Sequence, residues 1–63
     1  MEPTMIRSVT KGDYIKRKAD AKKVYQLKGW CYVNKAYEIQ DVEDISRCLY
    51  LKGMALVYTG FTY

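Results

Sequence analysis

The sequence predicts an all-β domain: a small antiparallel barrel of four to six short strands, with one short helical turn near residues 41–47. Three observations carry that reading. The chain has 63 residues, and a domain this short buries only about 60% of the surface its unfolded form exposes, which leaves room for one core and nothing more. Four glycines, Gly12, Gly29, Gly53 and Gly60, divide it into short pieces, a spacing that suits strands and turns better than long helices. Between the glycines Tyr, Val, Ile, Thr, Trp and Phe dominate, and these residues fit a pleated, half-buried surface. No repeat, low-complexity tract or linker interrupts the chain. Residues 1–10 read as an N-terminal arm or edge strand, and residues 11–63 as a single barrel domain.

Each element has a local reason. Lys11-Gly12-Asp13 is a turn signal, and Tyr14 to Lys18 follows as the first committed strand. Ala19 to Lys22 reads as a loop; a helix from Arg17 to Lys23 suits the composition but has no apolar face. In Lys23 to Leu27, Tyr25 and Leu27 alternate with Val24. Lys28-Gly29 then interrupts before Trp30-Cys31-Tyr32-Val33, giving either a tight hairpin or, slightly preferred, one long strand bent at a glycine bulge. Asn34-Lys35 turns the chain into a strand at Ala36 to Gln40. From Asp41 to Arg47 the pattern leaves period two: Val42, Ile45 and Leu49 recur at three and four residues, behind a capping Asp41. One helical or 3₁₀ turn is the economical reading. Leu49 to Leu51 and Met54 to Thr59 look like two strands across a tight Lys52-Gly53 turn, where glycine would supply a positive φ. The apolar end, Gly60 to Tyr63, is expected to dock on the core.

The opening Lys11-Gly12-Asp13-Tyr14-Ile15-Lys16, together with the Lys52-Gly53 turn and Gly60-Phe61, resembles SH3-like small barrels, including KOW-type domains, over roughly residues 11–61. At this size a closed or nearly closed sheet is the economical answer, because it hides its edges; a five-stranded OB-like barrel ranks second, since it needs more chain. In its tyrosine-rich, charged style the chain is also similar to small proteins encoded by tailed bacteriophages, which implies a host cytoplasm.

Composition excludes much chemistry. The chain contains no histidine and two cysteines, Cys31 and Cys48. Two thiolates without imidazole cannot complete a four-ligand zinc site in one chain. A Ser-His or Cys-His nucleophile pair is excluded as well. Neither a Walker-type loop nor a glycine-rich nucleotide fingerprint occurs. The acids Asp41, Glu43 and Asp44 could hold a hard cation, but their position reads as a cap and a solvated face. No cofactor, no metal and no enzymatic activity are expected. MEPTMIRSV lacks the apolar stretch of a secretory signal, and Met54 to Tyr58 is too short to span a bilayer. The expectation is a cytoplasmic protein with two reduced thiols, Cys48 in or near the core, and no membrane contact.

What remains is a binding role, and the charge is unevenly spread. Residues 1–35 carry nine basic groups against three acidic ones, whereas residues 36–63 carry two against four. Nucleic-acid binding needs cations that displace counterions and rings on which bases stack. The candidate site is Lys16, Arg17, Lys18, Lys22, Lys23, Tyr25, Lys28 and Trp30, a basic loop beside neighbouring aromatics. Strand alternation sets Tyr14 and Lys16 on one face and Ile15 and Arg17 on the other, and Trp30 is expected to be at least half buried. The alternative is a protein-interaction module, an adaptor or an inhibitor of a host enzyme. It would dock through an acidic patch of Tyr37, Glu38, Asp41, Glu43, Asp44 and Tyr50. Partners are therefore DNA or RNA, or another protein, with a homodimer left open.

Overall fold

A computed structural model of the chain describes residues 2–61. It contains six strands: β1 (Pro3–Met5), β2 (Tyr14–Ile15), β3 (Tyr25–Cys31), β4 (Ala36–Asp41), β5 (Cys48–Leu51) and β6 (Leu56–Tyr58). β2, β3, β4 and β5 form one antiparallel sheet in that order, curled into a half-barrel, and β1 pairs antiparallel with β6 in a second. The fold is all-β. Among the described residues no helix is long and apolar enough to cross a membrane.

Among the described residues the two sheets meet at one bridge. Lys16 N–H donates to the Tyr58 carbonyl at 2.9 Å, and Tyr58 N–H returns to the Lys16 carbonyl at 2.8 Å. The concave side encloses Ile6, Ile15, Tyr25, Leu27, Ile39 and Val57, all nearly or wholly excluded from solvent. Val9, Tyr37, Leu49, Leu51 and Ala55 pack against them. Ile6 makes the N-terminal segment integral: it follows β1, opens the 3₁₀ turn Ile6–Ser8, and lies in the core at 0% exposure.

Gly29 decides the shape of β3. Leu27 opposes Ile39 and Gly29 opposes Glu38, so the ladder shifts by one residue between them. Gly29 holds φ at +128°, a conformation that side-chain-bearing residues rarely adopt. The chain takes this stretch as one long bulged strand. A bulge strengthens local twist and bend, which lets so short a sheet curl over its core.

Three expectations are corrected. The segment 41–47 is not helical; the 3₁₀ turn lies at Ile6–Ser8 instead. Asp41 Oδ1 accepts the Glu43 N–H at 2.9 Å, and Asp44 Oδ1 accepts the Ser46 N–H at 3.1 Å and its hydroxyl at 2.6 Å. Each carboxylate thus satisfies the amide two residues on and closes a turn of its own, while Arg47 N–H donates to the Asp44 carbonyl. Ile45, whose spacing suggested an apolar helical face, is 76% exposed. The Lys52-Gly53 turn does not make a hairpin either: β5 pairs with β4 and β6 with β1, so the chain changes sheets there. Gly53 does not adopt a positive φ; its place is a corner, where an added Cβ would lie 3.5 Å from Arg7 and Tyr37. Finally, the first strand stops at Ile15 with a single bridge at Lys16, and Arg17 and Lys18 belong to the loop. The expected docking of the chain end concerns Phe61 among the described residues; Thr62 and Tyr63 lie outside them.

Ile39 stands at the centre of the core with 0% exposure. Ile39→Ala should cost about 2–5 kcal/mol, seen as a lower midpoint in urea denaturation. A loss well under that range would mean that β4 does not carry the core.

Candidate nucleic-acid interface

The loop between β2 and β3 is tied at both ends. Lys16 is held by the Tyr58 bridge, and the Val24 carbonyl accepts the Val42 N–H at 3.1 Å just before buried Tyr25. Between these anchors one turn closes by Ala21 N–H to the Lys18 carbonyl at 3.1 Å. The loop is therefore fixed in direction although it has no regular structure. Its side chains Arg17, Lys18, Lys22 and Lys23, with Ala21 and the edge of Tyr25, line an open groove of about 460 Å³.

The four cations are not equivalent. Lys23 Nζ lies 3.7 Å from Asp41 Oδ2, whose side chain is only 5% exposed. Asp41 serves the fold: it is buried, accepts from Glu43, and its own N–H donates to the Arg47 carbonyl at 3.0 Å. Lys23 answers that buried charge. Arg17, Lys18 and Lys22 are exposed and form no ion pair with any described residue. Three uncompensated cations on one loop attract an anion without having to break an existing pair first.

The groove gathers Arg17, Lys18, Lys22, Lys23 and Tyr25 and leaves out Lys16, Lys28 and Trp30. Lys16 Nζ sits 4.8 Å above the Phe61 ring, a cation–π contact. Trp30 lies at the far end of β3, packed edge-on against Tyr37 with ring centroids 5.0 Å apart and 46% of its surface exposed. Five residues of strand, roughly 16 Å, separate it from Tyr25. Lys28 belongs to the bulge on β3. Tyr25 itself is 6% exposed, so its ring has no face for stacking. Two rings the candidate set omitted, Tyr14 and Phe61, line a second pocket with Gly12, Asp13, Thr59 and Gly60. Lys16, whose Nζ lies over the Phe61 ring, precedes Arg17 of the groove in the chain. No local sequence signal joins Lys16 to Phe61; the Lys16–Tyr58 bridge is what brings Phe61 alongside β2.

The acidic candidates also divide. Glu38 opposes Tyr50 across the β4–β5 ladder, on the convex face. The adjacent Glu38 charge and partial burial raise the Tyr50 phenol above its ordinary pKa. Tyr37 turns to the concave face beneath Trp30, Asp41 is buried, and Glu43 and Asp44 are exposed in the turn. These six residues do not form one patch. Among the described residues no group of three His, Cys, Asp or Glu side chains is close enough to hold a metal ion.

The two thiols differ in environment. Cys31 Sγ accepts the Asn34 side-chain amide at 3.3 Å. The Asn34 main-chain and side-chain N–H groups lower its pKa by stabilising the thiolate. Cys48, half-buried on β5, is pushed up by desolvation and by Glu38. Register separates them: Cys31 opposes Ala36, whereas Cys48 opposes Gln40. Four residues along β4 is about 13 Å, too far for a disulfide, whose Cα atoms stand under about 7 Å apart.

Comparison of the chain with protein-family models, with curated proteins and with solved structures finds no match in any of the three.

Two outcomes follow from these environments. Iodoacetamide near neutral pH should modify Cys31 before Cys48, and Asn34→Ala should slow the Cys31 reaction; mass spectrometry of timed samples reads both. The second concerns acid. Asp44 is held below the ordinary carboxylate range, first by the Ser46 hydroxyl and then by the Ser46 N–H. Its contribution to stability is complete above the unfolded value of about 3.9 and disappears as pH falls through the lower folded value. Asp44→Asn should therefore flatten the acid limb of a stability–pH curve while leaving the neutral-to-alkaline limb parallel to that of the native chain.

Proposed function

We propose that the protein is a non-enzymatic nucleic-acid-binding module that holds single strands by their phosphates in the Arg17–Tyr25 groove. The observation that carries this reading is the convergence of Arg17, Lys18, Lys22 and Lys23 around one open groove, three of them without an acidic partner among the described residues. Cations on a loop tied at both ends lose less freedom on binding than cations on a mobile tail. Phosphate contacts supply affinity and position but carry no base sequence, so binding is expected to tolerate any sequence. Tyr14 and Phe61, reached through Lys16, are the rings on which an adjacent base would rest; Trp30 is assigned no part.

The non-enzymatic character is supported by the lack of histidine and by the lining of the groove, which among the described residues includes no carboxylate or thiol. The SH3-like resemblance is in keeping with a curled small barrel, and the reading does not depend on it. The second reading, docking of another protein, keeps Glu38 and Tyr50, which do adjoin. It loses Tyr37 to the concave face and Asp41 to the interior.

Fluorescence anisotropy with a short labelled single strand across a salt series tests the proposal. Affinity should fall steeply with salt, and Lys18→Ala and Lys22→Ala should each reduce the log–log slope by about 0.7. Trp30→Ala should leave that slope unchanged. Absence of binding at low salt, or a slope indifferent to both lysines, overturns the assignment.

A further inference from the structure

We propose that the free edge of β5 pairs antiparallel with β5 of a second copy of the chain, joining two half-barrels into one continuous sheet. The inference concerns a surface away from the basic groove and does not depend on how that groove is read.

The two outer edges of the fold are treated differently. β1 begins with Pro3, which has no N–H to offer, and spans three residues. Proline and shortness are the usual protections of an exposed edge. β5 is Cys48-Leu49-Tyr50-Leu51, without proline, charge or bulge. A strand like this is a template for pairing with another chain.

Hydrogen bonding fixes which residues face outward. Asp41 N–H donates to the Arg47 carbonyl, and the ladder continues as Gln40–Cys48, Ile39–Leu49, Glu38–Tyr50 and Tyr37–Leu51. Antiparallel pairs alternate between bonded and non-bonded, so Leu49 and Leu51 direct their main-chain groups to β4. Cys48 and Tyr50 direct theirs to the open edge, and neither forms a main-chain hydrogen bond to another described residue outside the ladder. A two-fold register centred on Leu49 sets Cys48 opposite Tyr50 of the second copy and Tyr50 opposite its Cys48. Every outward group then has a partner, and Leu49 meets its own symmetry mate.

The flanks favour a second copy over an unrelated strand. In that register the turn that precedes β5 in one copy, carrying Glu43 and Asp44, falls at the end where Lys52 follows β5 in the other. The same juxtaposition brings Ile45, 76% exposed, toward Met54 of the second copy, 74% exposed. Opposite charges and exposed apolar side chains thus meet at both ends, and Tyr50 lies along the join between them. Self-complementarity of this kind is what a two-fold interface requires.

Sedimentation equilibrium of the full chain at the concentrations used for NMR tests the proposal. The mass should be twice that of the monomer, and Tyr50→Pro, which deletes an outward N–H while sparing the bonds to β4, should halve it. Tyr50→Lys keeps every main-chain group but places a charge on the edge, and should also yield monomer; it decides the matter if the proline variant fails to fold. In a Cys31→Ser background, Tyr50→Cys should give a covalent dimer on oxidation. Its new thiol faces Cys48 of the second copy across a bonded pair, with Cα atoms about 5.5 Å apart. A native chain that stays monomeric, or a dimer indifferent to Tyr50→Lys and unlinked by the thiol pair, overturns it.

Discussion

The pair of main-chain hydrogen bonds between Lys16 and Tyr58 is the constraint on which the remaining structure depends. It is the seam between a four-stranded sheet and a two-stranded one. Through it the last strand lies against the second, so that Val57 and Ile15 can share a core with Ile6 and Ile39. A 63-residue chain has few apolar side chains to spare, and a two-stranded ribbon alone is marginal in water. Among the described residues, the seam carries the main-chain hydrogen bonds that link β6 to the main sheet.

The same seam orders the chemistry. It fixes where the β2–β3 loop begins, and Tyr25 and the Val24–Val42 bond fix where it ends. The buried Asp41 carboxylate then pairs with Lys23, whose own side chain stays exposed, and leaves Arg17, Lys18 and Lys22 without an ion pair to any described residue. One buried acid thus has two effects: it closes the turn after β4 through Glu43, and it separates the exposed cations of the groove into one that is paired and three that pair with no described acid. The acidic half of the sequence, which composition alone presents as a second patch, is in part the counterweight that shapes the basic one.

Much of this was legible in the sequence, and the failures have identifiable causes. Period-two alternation in Tyr25 to Leu27 and Ala36 to Gln40 marked β3 and β4, because one face of each is buried. Gly29 marked the bulge. The segment 41–47 misled because Asp followed by polar residues suits a helix cap and an Asx turn equally, and only the burial of Asp41 and exposure of Ile45 distinguish them. β5 and β6 misled because a glycine between two apolar runs signals a turn without saying whether the runs pair. For the site, the basic loop was local and could be read from Arg17 to Lys23. Trp30 was misplaced because nearness in sequence becomes distance along an extended strand, and Phe61 was not placed beside Lys16 because its position depends on a contact across more than forty residues.

The central claim is that phosphate-bearing strands are held by the loop of residues 17–23 and not by the exposed rings elsewhere on the sheet. Amide chemical-shift mapping during titration with a short single strand tests it most directly. The account predicts that the largest changes fall on residues 17–23, with smaller ones at Tyr14 and Phe61. Changes centred on Trp30 and Tyr37, with the loop silent, would contradict it.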